Sequence, residues 1–408
     1  MKQMIKLLSL GIIFLLGTNA CSDEDDEVTE RDIEGGPLYA IDVAFINPDG
    51  FQSYLGTVST LDDPSTPFPD LSELPEFNGT ARVFGPEGEG VAYLTADEEA
   101  TITEVTFSED GTPELKRVVS FAGEGLSYTS GGNVLAFFSP TKAYFVSQET
   151  LEIVVWNPES MEITNTFPLP LSITPGSFRL FLRGEPIIVG DQLVLISYEW
   201  TDGDRFNSNG VTVTVVNTTS DAVISNTVES RAVSFFNYAK DNDGNLYFIP
   251  DSDASWQHFL IPDQVQAPVM LRMLAGETSF DPNWSRSFTE EIGTQLWSET
   301  LQGPDGSVYF TALDDDLPEL QGIDNTDAFY EMEEFKWYKI NGFDAEAELT
   351  EIVTGHAGGI PFTSEGESYI QRWNADNDTY TLMKTSAAET VQEGLTTPGW
   401  SYTLLKVR

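Results

Sequence analysis

A turn-and-strand unit recurs along this chain at nearly constant spacing, and only a modular all-β fold accounts for it. Asp243-Gly244-Asn245-Leu246-Tyr247-Phe248 and Asp305-Gly306-Ser307-Val308-Tyr309-Phe310 nearly coincide. Looser copies stand at Gly90-Val91-Ala92-Tyr93-Leu94, Lys142-Ala143-Tyr144-Phe145-Val146, Gln192-Leu193-Val194-Leu195-Ile196 and Ser368-Tyr369-Ile370. The anchors Tyr93, Tyr144, Val194, Tyr247, Tyr309 and Tyr369 follow one another at 51, 50, 53, 62 and 60 residues. Asp-Gly supplies the left-handed backbone of a tight hairpin, and the aromatic pair then fills a strand. Elsewhere short β-rich runs alternate with Gly, Asn, Asp and Pro turns, and no convincing amphipathic helix follows residue 21. A period near 50 with about four strands per unit is that of a β-propeller blade. Six units are visible. Strands at 38–45 and 51–58 supply part of another, completed by a C-terminal strand at 401–407, which predicts seven blades in one domain over 37–408. Eight blades is the alternative, with 57–83 as a degenerate blade. A β-sandwich array leaves the constant spacing unexplained.

The N-terminus reads as an export signal. Lys2 and Lys6 precede an apolar run from Leu7 to Leu16, too short to span a bilayer, and Thr18-Asn19-Ala20-Cys21 follows. Cys21 is the only cysteine, so no disulfide is available to it. Its position resembles a bacterial lipobox, which implies a signal peptide over 1–20 and a lipid on Cys21. The acidic Ser22-Asp23-Glu24-Asp25-Asp26 is similar to the tag that sends Bacteroidetes lipoproteins to the cell surface. Residues 21–36 are then a lipidated acidic tether, and the expected location is the outer face of the outer membrane.

Charge removes whole classes of partner. The formal net charge is −46, and loss of the signal peptide with its two lysines makes it more negative still. Nucleic acid and anionic lipid need a basic footprint that is absent here. The acids are dispersed over a chain that is 40% apolar, which describes a solvated surface around a real core. High salt would screen such a surface, so a marine or salt-tolerant source is expected.

Blade geometry sorts the loops before any chemistry is argued. With strands A to D running outward, the Asp-Gly hairpins are A–B turns on one face. The B–C and D–A connections lie on the other, and here they are longer. They hold Trp200, Arg205, Arg231, Trp256, His258, Trp297 and His356, the candidate ligand-binding residues: large rings and scarce cations where propeller loops converge. The two histidines are nearly a hundred residues apart with no metal-binding spacing around either, so no metal site is expected from them. Calcium in the acidic loops stays open. Asp241-Asn242-Asp243-Gly244-Asn245 lacks the later acidic ligand of a calcium loop and reads as turn chemistry. No Gly-x-Ser-x-Gly elbow and no phosphate loop is present. Trp156 and Trp337 sit in apolar strands and are expected in the core.

One segment carries a resemblance. Met270-Leu271-Arg272-Met273-Leu274-Ala275-Gly276-Glu277-Thr278-Ser279-Phe280-Asp281-Pro282-Asn283-Trp284 is similar to a hallmark of the myxochelin-transport-associated and xenosiderophore-utilisation lipoproteins of Bacteroidetes. The lipobox, tether and Asp-Gly hairpins fit the same family. The resemblance implies a propeller that captures a ferric siderophore beside a TonB-dependent receptor; it transfers no ligand residue, and Gly276 and Glu277 read as a C–D turn. The acidity favours neutral or cationic ferric hydroxamates over tricatecholates. The expectation is a monomeric, non-catalytic surface lipoprotein without a cofactor. A calcium-dependent propeller hydrolase or lyase and a protein-interaction scaffold are the alternatives.

Overall fold

A computed structural model describes residues 35–408 except 48–49, 132, 183–185, 202–204, 207–208, 303–307, 327, 330–334, 341–342, 344–348, 355–361, 365, 375–376 and 386–390. Its strands form seven antiparallel sheets in a β-propeller. Blade 2 has strands A to D at Val83–Phe84, Val91–Thr95, Thr101–Phe107 and Pro113–Ser120; blade 3 at Val134–Ser139, Lys142–Val146, Glu152–Asn157 and Glu162–Pro168. Blade 4 uses Ser177–Phe181, Gln192–Thr201, Val211–Asn217 and Ala222–Glu229, with short extra strands Ile187–Val189 and Arg205–Phe206 along its second strand. Blade 5 is Phe235–Lys240, Leu246–Pro250, Met270–Met273 and Phe280–Arg286; blade 6 is Leu296–Gln302, Val308–Leu313, Lys336–Ile340 and Leu349–Thr354; blade 7 is Phe362–Ser364, Glu367–Asn374, Thr379–Thr385 and Val391–Thr397.

Blade 1 closes the ring. Its strand A, Leu404–Lys406, comes from the C-terminus, and its outer strands Tyr39–Asn47, Gly50–Val58 and Glu76–Asn78 come from the N-terminus. The C-terminal strand is shorter than the sequence suggests. The eighth blade does not form: residues 59–75 are the C–D connection of blade 1, which ends in its outer strand.

The sequence folds this way because each sheet buries both faces. A separate apolar cluster fills every junction between neighbouring blades, from Leu55 with Ala92 between blades 1 and 2 to Tyr369 with Ile41 between blades 7 and 1. Middle strands therefore read as unbroken apolar runs, whereas outer strands such as Glu162–Pro168 are exposed or half-buried throughout. Trp156 and Trp337 are fully buried, as their contexts suggest.

The repeated tyrosines gain a second role at their hydroxyls. Tyr144 bonds to Asp221 and Tyr369 to Asp62, each in the C–D connection of the next blade. Tyr247 instead bonds to Asp241 in its own A–B turn. That turn is held by Asp241 accepting from Asp243 N, Asn245 N and Asn245 Nδ2, with Gly244 at φ 84°. These bonds hold the Asp241 carboxyl below its ordinary range against the opposing effect of burial.

Two short helices depart from the expected all-strand pattern. Ser252–Leu260 is capped by Asp251, whose carboxylate accepts from Asp253 N at 3.0 Å. Thr289–Ile292 lies between blades 5 and 6. Among the described residues no helix is long and apolar enough to cross a membrane.

Candidate functional site

Antiparallel order in every blade places the B–C and D–A connections together at one end of the strands. The residues singled out from sequence occupy separate packing environments there. Trp200 is half-buried on strand B of blade 4 and lies beside Phe178, ring centroids 6.4 Å apart. Arg205 pairs through its backbone with Thr201; its side chain lies outside the described residues. His356 also lies outside them.

Trp256 is 3% exposed. The helix Ser252–Leu260 turns it inward against Phe329, with ring centroids 5.1 Å apart and planes 8° from parallel, in an apolar cluster that includes Leu296, Leu313, Leu320 and Phe335. Trp297 is fully buried between blades 5 and 6, its Nε1 donating to Thr289 Oγ1 at 3.1 Å. Both rings are core. Covering the long B–C insertions requires apolar area, which Trp256 supplies, whereas Trp297 stands on strand A of blade 6 and packs between the blades. His258 donates from Nδ1 to the Val265 carbonyl at 2.7 Å and fastens the end of that helix.

Arg231 is an inter-blade tie. Its guanidinium donates to Glu229 at 2.9 and 2.7 Å, and to the carbonyls of Trp284 and Asp281 at 3.0 Å each. The hydrogen-bonded pairing holds Glu229 below and Arg231 above their ordinary ranges. The hairpin 270–284 adds a pair of its own. Arg272 pairs with Asp281 and lies over the Trp284 ring, 5.3 Å from its centroid, while Gly276 turns the C–D connection at φ 79°.

A device not anticipated from sequence organises this face. In three blades a carboxylate on or just past strand B grips the threonine that leads into strand A. Asp42 accepts from Thr403 N at 2.6 Å, Thr403 Oγ1 at 2.7 Å and Tyr402 N at 3.1 Å. Asp97 accepts from Thr80 N at 2.6 Å and from its hydroxyl. Glu199 accepts from Thr174 Oγ1 at 2.7 Å and Thr174 N at 3.2 Å, and it pairs with Arg179 Nη2 at 3.1 Å. Arg179 and Glu199 are both buried, and burial pushes the Arg179 pKa down while Glu199 opposes it. The one available sequence signal was an acid inside an apolar strand, as in Ala40-Ile41-Asp42-Val43-Ala44.

The clamp in blade 1 lies beside a half-buried arginine. Arg82, half-buried ahead of strand A in blade 2, donates from Nη1 to the Gly131 carbonyl at 2.7 Å and sits 4.7 Å from the centroid of the Tyr402 ring. Loops of blades 1, 2 and 3 therefore meet around one guanidinium. Asp42 is 1% exposed, and burial raises its pKa to about 6 despite its three donors and the positive field of Arg82. Among the described residues no group of three His, Cys, Asp or Glu converges as a metal site.

No family model and no curated protein sequence matches this chain. Solved structures do. A proposed 6-phosphogluconolactonase from Bacteroides fragilis is 9% identical with a TM-score of 0.56, covering 92% of this chain and 99% of its own. The periplasmic gluconolactonase of Pseudomonas aeruginosa is 10% identical at TM-score 0.55, over 91% and 99%. A proposed 6-phosphogluconolactonase from Bacteroides uniformis is 9% identical at TM-score 0.52, over 91% and 99%. These likenesses establish the propeller. They also correct the expectation of a non-catalytic protein, because chains that share this fold end to end carry enzyme names.

Proposed function

We propose that this protein is an exported propeller, lipid-anchored at Cys21 on the outer membrane, that hydrolyses an unphosphorylated sugar lactone at its B–C/D–A face. The observation that carries the reading is coverage: three lactonase-named propellers align over 99% of their own chains. Charge selects among lactones. Arg117, Arg179, Arg231, Arg272, Arg286 and Arg372 are each held by a carboxylate, so a phosphate would have to compete with a fixed anion at every one. A neutral lactone meets no such penalty on a surface of this sign. Arg82 is the residue best placed to polarise a lactone carbonyl, since Tyr402 and Gly131 fix its plane at the meeting point of three blades.

The test is pH-stat hydrolysis of gluconolactone and of its 6-phosphate by the mature protein. Acceleration above the spontaneous rate for the unphosphorylated lactone, reduced at least tenfold in Arg82→Met, is expected. No acceleration of either compound by folded protein sinks the reading, and preference for the phosphate sinks the charge argument. A second reading, capture of a ferric siderophore for a TonB-dependent receptor, is favoured by the lipobox, the acidic tether and the hairpin 270–284. Quenching of tryptophan fluorescence by a ferric hydroxamate, without lactone hydrolysis, would select it.

A further inference from the structure

On the same face a row of aromatic side chains crosses from blade 7 to blade 1, and its Trp400 ring lies 6.2 Å, centroid to centroid, from Tyr402, the ring beside Arg82. Trp373, at the end of strand B in blade 7, is 39% exposed and stands directly across from Tyr380. Tyr380 and Trp400 have ring centroids 6.3 Å apart, and Trp400 and Phe51 6.0 Å, both edge to face. Phe51, 46% exposed, pairs across its hairpin with Ile46, 69% exposed. Large apolar side chains left in water on an otherwise acidic protein mark a binding surface.

The row is held in place rather than loosely displayed. Trp373 donates from Nε1 to Asp378 Oδ1 at 3.0 Å, and Asp378 itself sits at φ 55°, a left-handed position that Asp tolerates better than most residues. Trp400 is fastened by its carbonyl, which accepts from Ala44 N at 2.7 Å. Asn374, Asn377 and Asp378 are exposed beside Trp373, so hydrogen-bonding groups flank the ring. We propose that this row is a binding platform for a neutral polysaccharide chain. Exposed aromatic rings suit the apolar faces of sugar units, and the flanking amides and carboxylate suit their hydroxyls. The net charge of −46 decides against anionic chains, which this surface repels, while a neutral glycan approaches without a Coulomb cost.

Trp373 and Tyr380 separate this assignment from the lactone reading, because neither is assigned to lactone chemistry. The test is affinity electrophoresis of the mature protein through native gels containing laminarin or galactomannan, with alginate as the anionic comparison. At least one neutral polysaccharide should retard the protein and alginate should not. Trp373→Ala should weaken the retardation tenfold or more, and Tyr380→Ala should weaken it to a smaller degree, both with an unchanged circular-dichroism spectrum and melting temperature. Trp373 is exposed, so its replacement leaves the core intact. Failure of both neutral polysaccharides to retard the protein overturns the proposal, as does equal retardation by alginate or unchanged binding by Trp373→Ala.

Discussion

Protonating one buried carboxylate should tighten the ring closure of this propeller. Asp42 belongs to the N-terminal strand Tyr39–Asn47, and its three donors belong to Tyr402 and Thr403, just ahead of the C-terminal strand Leu404–Lys406. Burial raises its pKa from 3.8 to about 6, so the folded state binds the proton more readily than the unfolded chain. Stability therefore falls as pH rises through the window from about 4 to about 6, and the cost is fully present above it. At 1.36 kcal/mol per unit the shift corresponds to at most about 3 kcal/mol. Between pH 7.5 and pH 5 about half of that is recovered, which for a domain of this size is roughly 2 °C in melting temperature. The carboxyls held low by hydrogen bonds, Glu229 and Asp241 among them, give up stability only as pH falls through their own lowered values, so Asp42 is separable from them. The assay is thermal unfolding at pH 7.5 and pH 5 in 0.5 M salt, where screening suppresses the general relief of surface repulsion. Wild type should melt higher at pH 5. Asp42→Asn removes the titration, although it turns one acceptor into a donor facing Tyr402 N, so its absolute stability is not the readout. Its difference between the two pH values should shrink by most of the wild-type gain, and equal differences in the two proteins would refute the reasoning.

Trp256→Ala should behave as a core truncation, lowering unfolding free energy by about 3–5 kcal/mol in urea titration because it empties the space against Phe329 and Phe335; a loss below about 1 kcal/mol would show that the insertions do not depend on it. Cys21→Ser should leave the protein unprocessed or release it from the membrane, since two acyl chains give an anchorage that the acidic surface cannot; detergent-phase partitioning reads this, and equal partitioning of the two forms counts against lipidation.

Periodicity alone determined the architecture. The repeated turn and aromatic strand fixed the blade, its spacing gave six units and left seven or eight blades open, and the apolar runs on middle strands reflected sheets covered on both faces, because those requirements are local and recur in every unit. Hairpin chemistry was legible for the same reason: Asp241 and Gly244 act within five residues of chain. The functional face was not. Trp256 and Trp297 looked like exposed loop rings because sequence places them near connections, but the long B–C insertions fold back over Trp256 as a core of their own, and Trp297 falls on a strand that faces the neighbouring blade. Arg231 looked like a spare cation until the fold brought the Asp281 and Trp284 carbonyls to it from fifty residues away. Conversely, Arg82 meets Tyr402 only because the ring closes, and Trp373, Trp400 and Phe51 form a row only because blade 7 abuts blade 1. Side chains separated by more than three hundred residues share no sequence pattern; closure of the propeller makes them neighbours.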